Sequence, residues 1–161
     1  MSLNACNQCG GDTELVIIGF ADGEADPLRI RLKDLPLRSC EHGHRQFARP
    51  QFPVELLQHL TQRDEPGLPS GDVRGFIRKR YLCRRCGAKL AGRPDHRHIF
   101  SLDIELDGLP PFQVDLTMPV YGCPACGREQ MHSLAELRKL TATALARAFD
   151  AADIPPPPGP R

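Results

Sequence analysis

The sequence contains no tryptophan, only two tyrosines and only seven phenylalanines among its 161 residues. It therefore has little aromatic bulk with which to fill a hydrophobic core. Domains of about 60 residues bury only about 60% of the surface that their unfolded chains expose, and they often need a covalent or metal cross-link. We expect this chain to depend on such a cross-link.

Long apolar runs and a strong net charge are also lacking. The longest early apolar stretch, residues 15–20, is interrupted by Gly19, and residues 1–6 have neither a basic nor an apolar signal region. This pattern predicts no secretory signal and no membrane span. The formal net charge is +1, which disfavours indiscriminate binding to polyanions.

Cysteine is the residue type that supplies a cross-link. The chain has seven cysteines, an odd number that argues against paired disulfides and favours a reducing, cytoplasmic location. Two identical CxxCG motifs hold Cys83 and Cys86, then Cys123 and Cys126. Four thiolates in two such pairs predict a tetrahedral site that selects zinc. A redox CxxC pair is the alternative, but residues 87–94 do not form the helix pattern that follows such a motif.

A second ligand set lies near the start of the sequence. Cys6 and Cys9 form another CxxCG motif, and Cys40 is followed by His42-Gly43-His44 where a fourth cysteine is missing. His44 is the preferred fourth ligand because Gly43 can turn the chain just before it; His42 is the alternative. A third alternative is that neither histidine binds, which would leave a water on the metal. With one histidine, the two sites use all seven cysteines, which predicts two Zn²⁺ ions.

The two ligand sets lie in segments that resemble each other. Residues 27–32 align with residues 111–116, and apolar residues alternate in both, which is typical of half-buried strands. The first segment carries one extra residue before Pro36, which suggests a bulge. Each segment then enters a helix: Pro53 suits a first helical turn, and Ser133 with Glu136 forms a capping box.

This repeat predicts a small zinc-stabilised α+β fold. It would consist of two tandem zinc-ribbon-like β units, each followed by a helix and each with its own small core. The predicted boundaries are residues 1–63 for the first domain, 64–72 for a linker, 73–152 for the second domain and 153–161 for a proline-rich tail.

A basic segment runs through the start of the second unit. Nine lysines and arginines lie between Val73 and His98, against the single acid Asp95, with Phe76 and Tyr81 among them. Such a segment could neutralise phosphates while its aromatic rings stack on bases. Alternatively it docks on the acidic residues of the other domain or on a protein partner. The predicted nucleic-acid contacts are Arg74, Arg78, Lys79, Arg80, Tyr81, Arg84, Arg85 and Lys89.

Residues 5–60 resemble the YgiT-type zinc domain of MqsA-like antitoxins. The similarity consists of the CxxCG motif, about thirty intervening residues and a strand that ends in Leu35-Pro36 just before Cys40. The resemblance implies a structural zinc ion and a module that contacts a protein partner. In that family a separate helix-turn-helix domain contacts DNA, and this chain has no recognisable counterpart.

These observations predict a non-enzymatic protein with two structural zinc sites. No paired acid and base, activated nucleophile or phosphate-binding glycine loop can be assigned. The expected role is that of a nucleic-acid-binding or regulatory accessory protein, and the alternative is a protein-interaction adaptor that binds no nucleic acid.

Overall fold

A computed structural model describes residues 4–62 and 68–157. Part of the predicted linker, residues 64–67, and the end of the predicted tail, residues 158–161, lie outside the described residues. The elements are β1 Thr13–Ala25, β2 Leu28–Cys40, β3 Arg45–Phe47, α1 Phe52–Thr61, β4 Asp72–Arg74, β5 Arg80–Leu82, β6 His96–Ile104, β7 Phe112–Gly122, β8 Glu129–Gln130 and α2 Leu134–Ala151. The fold is α+β, as predicted, and its strands are mostly antiparallel.

One large sheet contains strands from both halves of the chain. Its order is β1-β2-β7-β6, with β3 paired to β2 and β8 paired to β7, while β4 and β5 form a separate hairpin. At the centre, β2 and β7 run antiparallel, from the pair Arg29↔Thr117 to the pair Lys33↔Gln113. The sheet therefore does not divide at the predicted linker.

The alternation that predicted β2 is present, and it changes phase once. Leu28, Ile30 and Leu32 are buried, whereas after Asp34 the buried leucines, Leu35 and Leu37, occupy odd-numbered positions, and Pro36 between them is buried as well. Asp34 itself has a φ of 56°, a left-handed conformation that interrupts the regular pleat. This irregularity lies where the first segment carries its extra residue.

Both helices begin where the sequence predicts them. Pro53 occupies the first turn of α1, where its missing N–H leaves no donor unsatisfied. The hydroxyl of Ser133 caps α2 by accepting a hydrogen bond from the amide of Glu136. In the described residues, neither helix is both long and apolar enough to cross a lipid bilayer.

The prediction of two separate small cores is corrected by the packing. Helix α2 of the second segment lies on β1 and β2 of the first, and also contacts α1. Phe52 of the first segment contacts Phe112 and Phe149 of the second, with ring centroids 5.8 and 6.3 Å apart. Phe47 meets Phe149 edge to face at 4.8 Å. Few aromatic residues suffice because both halves contribute them to one shared core.

Candidate metal centres and cationic hairpin

The long hairpin of β1 and β2 brings the first ligand set together. Thr13, at the start of β1, is paired with Cys40, at the end of β2. The loop with Cys6 and Cys9 precedes β1, and the turn that carries His44 follows β2. Residues far apart in sequence therefore meet at the open end of the hairpin, and their ligand atoms all lie within 4.8 Å of one another.

Distances within this cluster distinguish the two histidines. The Nδ1 atom of His44 lies 3.5 Å from the Sγ of Cys40 and 3.7 Å from the Sγ of Cys6. The Sγ atoms of Cys9 and Cys40 are 3.8 Å apart. His42 approaches Cys9 alone, at 3.7 Å, and lies outside the four-residue group.

The second cluster consists of four cysteines on two loops. Cys83 and Cys86 follow β5, whereas Cys123 and Cys126 follow β7. The Sγ of Cys83 lies 3.6 Å from that of Cys126, and the Sγ of Cys86 lies 3.4 Å from that of Cys123. All four sulfurs lie within 4.8 Å of one another.

Four similar turns present these ligands. In each CxxCG motif the glycine amide donates a hydrogen bond to the carbonyl of the first cysteine, and the glycine φ lies between 74° and 78°. The Cys40 turn is one residue shorter: Gly43, with a φ of 80°, donates to the Cys40 carbonyl. Because positive φ favours glycine, these residues let both ligands of a turn face one point, as predicted. The four turning glycines are Gly10, Gly43, Gly87 and Gly127.

The spacing of the donor atoms fits a tetrahedral ion. With zinc–sulfur bonds of about 2.3 Å and zinc–nitrogen bonds of about 2.0 Å, sulfurs would be about 3.8 Å apart, and sulfur and nitrogen about 3.5 Å. The observed separations of 3.4 to 3.8 Å agree with these values. They are too long for disulfides, which need about 2.05 Å. Both clusters could therefore hold a metal ion.

Local hydrogen bonds prepare some thiols for metal binding. The backbone amide of Cys9 is the main cause that lowers the pKa of Cys6 to about 6. A hydrogen bond from the side chain of Gln130 does most to lower the pKa of Cys83 to about 6. The pKa of Cys86 is instead raised to about 11. The backbone amide of Ala88 lowers this pKa, but the neighbouring Cys123 and burial together raise it by more. Four thiols cannot all ionise side by side without a cation, which a bound metal would supply.

Two glutamines support the clusters, and no sequence motif indicates them. Gln130 is fully buried, and its Oε1 accepts a hydrogen bond from the Arg84 amide at 3.1 Å. Gln46 is also buried, and its Oε1 accepts from the Asn7 amide at 2.9 Å. Asn7 and Arg84 each directly follow the first cysteine of a motif. The only available signal was the alignment of the two segments, because Gln46 and Gln130 follow the third cysteines at nearly the same distance.

The basic segment forms an exposed hairpin ahead of Cys83. Strands β4 and β5 pair from Asp72↔Leu82 to Arg74↔Arg80, and residues 72–80 are all exposed. A cavity of about 630 Å³ lies on this hairpin, and we call it the cationic cleft. Five basic residues line it: Arg74, Arg78, Lys79, Arg80 and Lys89.

Few acidic side chains face the basic segment. Lys79 pairs with Glu136 at 3.2 Å and Arg97 with Asp26 at 3.6 Å. In the described part of the chain, no carboxylate lies within ion-pair distance of the other four cleft residues. Two acidic residues of the first segment are engaged elsewhere: Asp22 pairs with Arg31 at 2.7 Å and Glu24 with Arg29 at 3.0 Å. Among the described residues, the ion pair that joins the basic segment to an acidic residue of the first segment is Arg97 with Asp26.

Tyr81, one of the predicted nucleic-acid contacts, has an internal role. Its ring stacks on His132 with a centroid distance of 4.1 Å, and His132 stacks in turn on Tyr121 at 3.4 Å. The Tyr81 hydroxyl donates a hydrogen bond to Glu136. Burial, followed by this carboxylate, raises the pKa of Tyr81 to about 12. Tyr81 therefore fastens the hairpin to the start of α2, whereas Phe76, the other aromatic residue of the basic segment, is fully exposed.

Arg84 and Arg85 lie on the exposed turn between Cys83 and Cys86, as the sequence predicts.

No protein-family model, curated protein or solved structure matches the chain. The resemblance of residues 5–60 to YgiT-type zinc domains stays a prediction.

Proposed function

We propose that this protein is a non-enzymatic nucleic-acid-binding protein whose fold depends on two structural zinc ions. The observation that carries the proposal is the cationic cleft. Five basic side chains surround one concave space, and Lys79 alone among them has an acidic partner in the described residues. Unpaired cations on one side of a molecule with a net charge of +1 form a local field that attracts phosphates.

The zinc ions would be structural because protein side chains supply all four ligands at each site. A closed site leaves no position for a reacting water, unlike catalytic zinc sites. Structural zinc contributes about 10–16 kcal/mol in small finger peptides, which exceeds the total stability of a typical domain. In the second site the zinc would also anchor the turn with Arg84 and Arg85 next to the cleft. Native mass spectrometry of the purified protein should detect two zinc ions per chain; one or none contradicts this assignment.

The nucleic-acid proposal can be tested by measuring affinity as a function of salt. A fluorescent 20-base-pair DNA duplex and its single strand serve as probes. Each phosphate contact contributes about −0.9 to the slope of log K against log salt for a duplex. We expect a slope of about −4 to −5 if most of the cleft residues engage phosphates.

Matched variants assign the binding to the cleft. The double variant Arg78→Glu with Arg80→Glu should bind at least about 10-fold more weakly at low salt, with a shallower slope. Lys139→Glu changes an exposed residue of α2 outside the cleft and should have little effect. Absent binding, or an affinity that ignores salt, would contradict the proposal.

A protein partner is the second candidate function, and the edge strand β1 favours it. Within residues 4–62 and 68–157, no strand pairs with the outer side of β1, and β1 exposes Leu15, Ile17 and Phe20 by 40%, 54% and 65%. Exposed edges with apolar side chains are suited to pairing with another chain. This alternative would be favoured if the cleft variants bound nucleic acid no differently from the wild type and Ile17→Lys abolished binding to a protein partner.

A further inference from the structure

Two large apolar side chains project from the tip of the cationic hairpin. Phe76 is 102% exposed and Ile77 is 96% exposed. They are neighbours in sequence, and neither belongs to a hydrophobic cluster among the described residues. We call this pair the hairpin apex. Single exposed apolar residues are common, but two adjacent residues with fully exposed side chains are not explained by packing.

The backbone holds the apex in a tight turn. Gly75 has a φ of 96°, and a Cβ added there would lie only 2.2 Å from the carbonyl oxygen of Arg78. Any other residue at position 75 would therefore force this turn open. Since the chain closes so tightly between Gly75 and Arg78, the two residues between them point outward.

Cations flank the apex on both strands. Arg74 precedes it on β4, and Arg78, Lys79 and Arg80 follow it on the other side. Phe76 itself lines the cationic cleft together with these residues. An anionic ligand bound in the cationic cleft would therefore also contact the apolar side chains of the hairpin apex.

We infer that the hairpin apex inserts between neighbouring stacked bases of the nucleic acid whose phosphates occupy the cationic cleft. This inference rests on the proposed function and adds the recognition of bases to it. Apolar wedges of Phe and Ile between base steps, with basic residues on the adjacent phosphates, are a known way to bind nucleic acid. Ile77 favours insertion over simple stacking, because an aliphatic side chain offers no aromatic face.

An anionic membrane is the other surface that could accept apolar and basic residues together. The shape of the site argues against it. A bilayer surface is flat on this scale, whereas the five cations of the hairpin surround a concave space of about 630 Å³. A phosphodiester backbone is a narrow ridge that can enter such a space. We therefore favour nucleic acid as the ligand, and anionic vesicles serve as a comparison probe in the experiment.

The absence of tryptophan from the chain allows a direct experiment. In the Phe76→Trp variant a single indole reports on the apex, and stacking on bases quenches its fluorescence. The control Val54→Trp carries its indole at an exposed position of α1, away from the hairpin. The probes are a 20-base-pair DNA duplex, its single strand, the same sequences in RNA, and vesicles of phosphatidylcholine with 30% phosphatidylserine.

Quenching of the Phe76→Trp variant at the concentrations that saturate binding, without quenching of Val54→Trp, is the expected result. The probe that quenches identifies the form of nucleic acid. Replacing Phe76 and Ile77 by alanine should then weaken binding by about 10- to 100-fold, with an unchanged salt slope because no charge is lost. Val54→Ala should bind as the wild type does.

Other results would overturn the inference in distinguishable ways. If the wild type binds with a steep salt slope but the indole is not quenched and the alanine variant binds normally, the cleft proposal survives and the wedge does not. If the wild type binds none of the nucleic acids, both proposals fail. A blue-shifted, brighter indole with the vesicles alone would show that the apex enters a membrane instead.

Discussion

The two halves of the chain approach each other closely at Gly23, and this contact provides a sharp test of the shared core. Gly23 lies on the face of β1 that packs against α2. A Cβ added at this position would lie 1.9 Å from the carbonyl oxygen of Ala144 and 2.5 Å from the amide nitrogen of Ala148. Since ordinary contacts begin at 3.4 Å, α2 would have to retreat by about 3.4 − 1.9 = 1.5 Å in the Gly23→Ala variant.

That displacement sets the expected loss of stability. Overpacking usually costs about 1–3 kcal/mol, and here both obstructing atoms belong to the backbone of a helix, which cannot rotate aside. A gap of 0.5–1 Å already removes about a quarter to a half of the dispersion energy of the separated atoms. Leu145 and Phe149, both buried on α2, would lose contacts of this kind. We therefore expect Gly23→Ala to destabilise the protein by about 3 kcal/mol or more.

Urea unfolding followed by circular dichroism, at a fixed excess of zinc, measures this change. Gly19→Ala is the matched control, because Gly19 lies on the same strand and a Cβ there meets no atom within 4 Å. Its effect should stay within about 1 kcal/mol in either direction. In a thermal scan, a loss of about 3 kcal/mol corresponds to a decrease in Tm of about 6–12 °C. If the two variants are equally stable, α2 does not pack on β1 as described and the shared core is wrong.

Three further predictions concern the metal clusters and the tyrosine stack. His44→Ala should reduce the zinc content from two ions per chain to one, whereas His42→Ala should retain both, because His44 and not His42 lies in the four-residue group. Native mass spectrometry counts the ions in each variant, and the reverse result would identify His42 as the ligand. Gln130→Leu should weaken zinc retention at the second cluster by about 10- to 100-fold in a chelator competition, since hydrogen bonds from residues around the ligands orient those ligands. Gln58→Leu, on the exposed face of α1, should leave zinc retention unchanged. The absorbance of tyrosinate at alkaline pH should show Tyr81 ionising near its pKa of about 12, well above the value of 10.0 expected in the unfolded chain. Because the folded state keeps a proton that the unfolded state releases, this stabilisation is complete below about pH 10 and is lost as the pH rises through about 12; Tyr81→Phe should abolish that part of the pH dependence.

Local patterns predicted the local features of this fold. The CxxCG motifs predicted the turns, because the glycine that follows each pair adopts positive φ. Pro53 and Ser133 predicted the first turns of α1 and α2, and alternation predicted β2 and β7. Each of these signals depends only on neighbouring residues, which is why a sequence reveals it.

The pairing of β2 with β7 had no comparable signal. Any two alternating strands can be neighbours, and their partners are chosen by the burial of the whole sheet and its helices. Gln46 and Gln130 were missed because a lone glutamine resembles a surface residue until its buried partners are known. Tyr81 was assigned to the basic segment by proximity in sequence, whereas its contacts with His132 and Glu136 lie across the fold.

The central ladder relates the two halves in a way that bears on their functions. The sequence alignment places Arg31 opposite Asp115, and these two residues are also paired directly between β2 and β7. Two equivalent hairpins related by a two-fold axis at this pair would give that register. Since the strands are antiparallel and each leads into the third ligand of its cluster, Cys40 or Cys123, the two clusters lie at opposite ends of the joint sheet.

Only the second cluster has a cationic hairpin beside it in the described part of the chain. The bridge between Leu82 and Lys89, and the hydrogen bond from the Leu90 amide to the Tyr81 carbonyl, join that hairpin to the segment that follows Cys83 and Cys86. The first cluster instead closes the hairpin of β1 and β2, on which α2 packs. A metal ion lost from the second cluster should therefore release the cleft, and one lost from the first should loosen the core. Two similar ligand clusters would thus serve the proposed recognition at one end of the sheet and stability at the other.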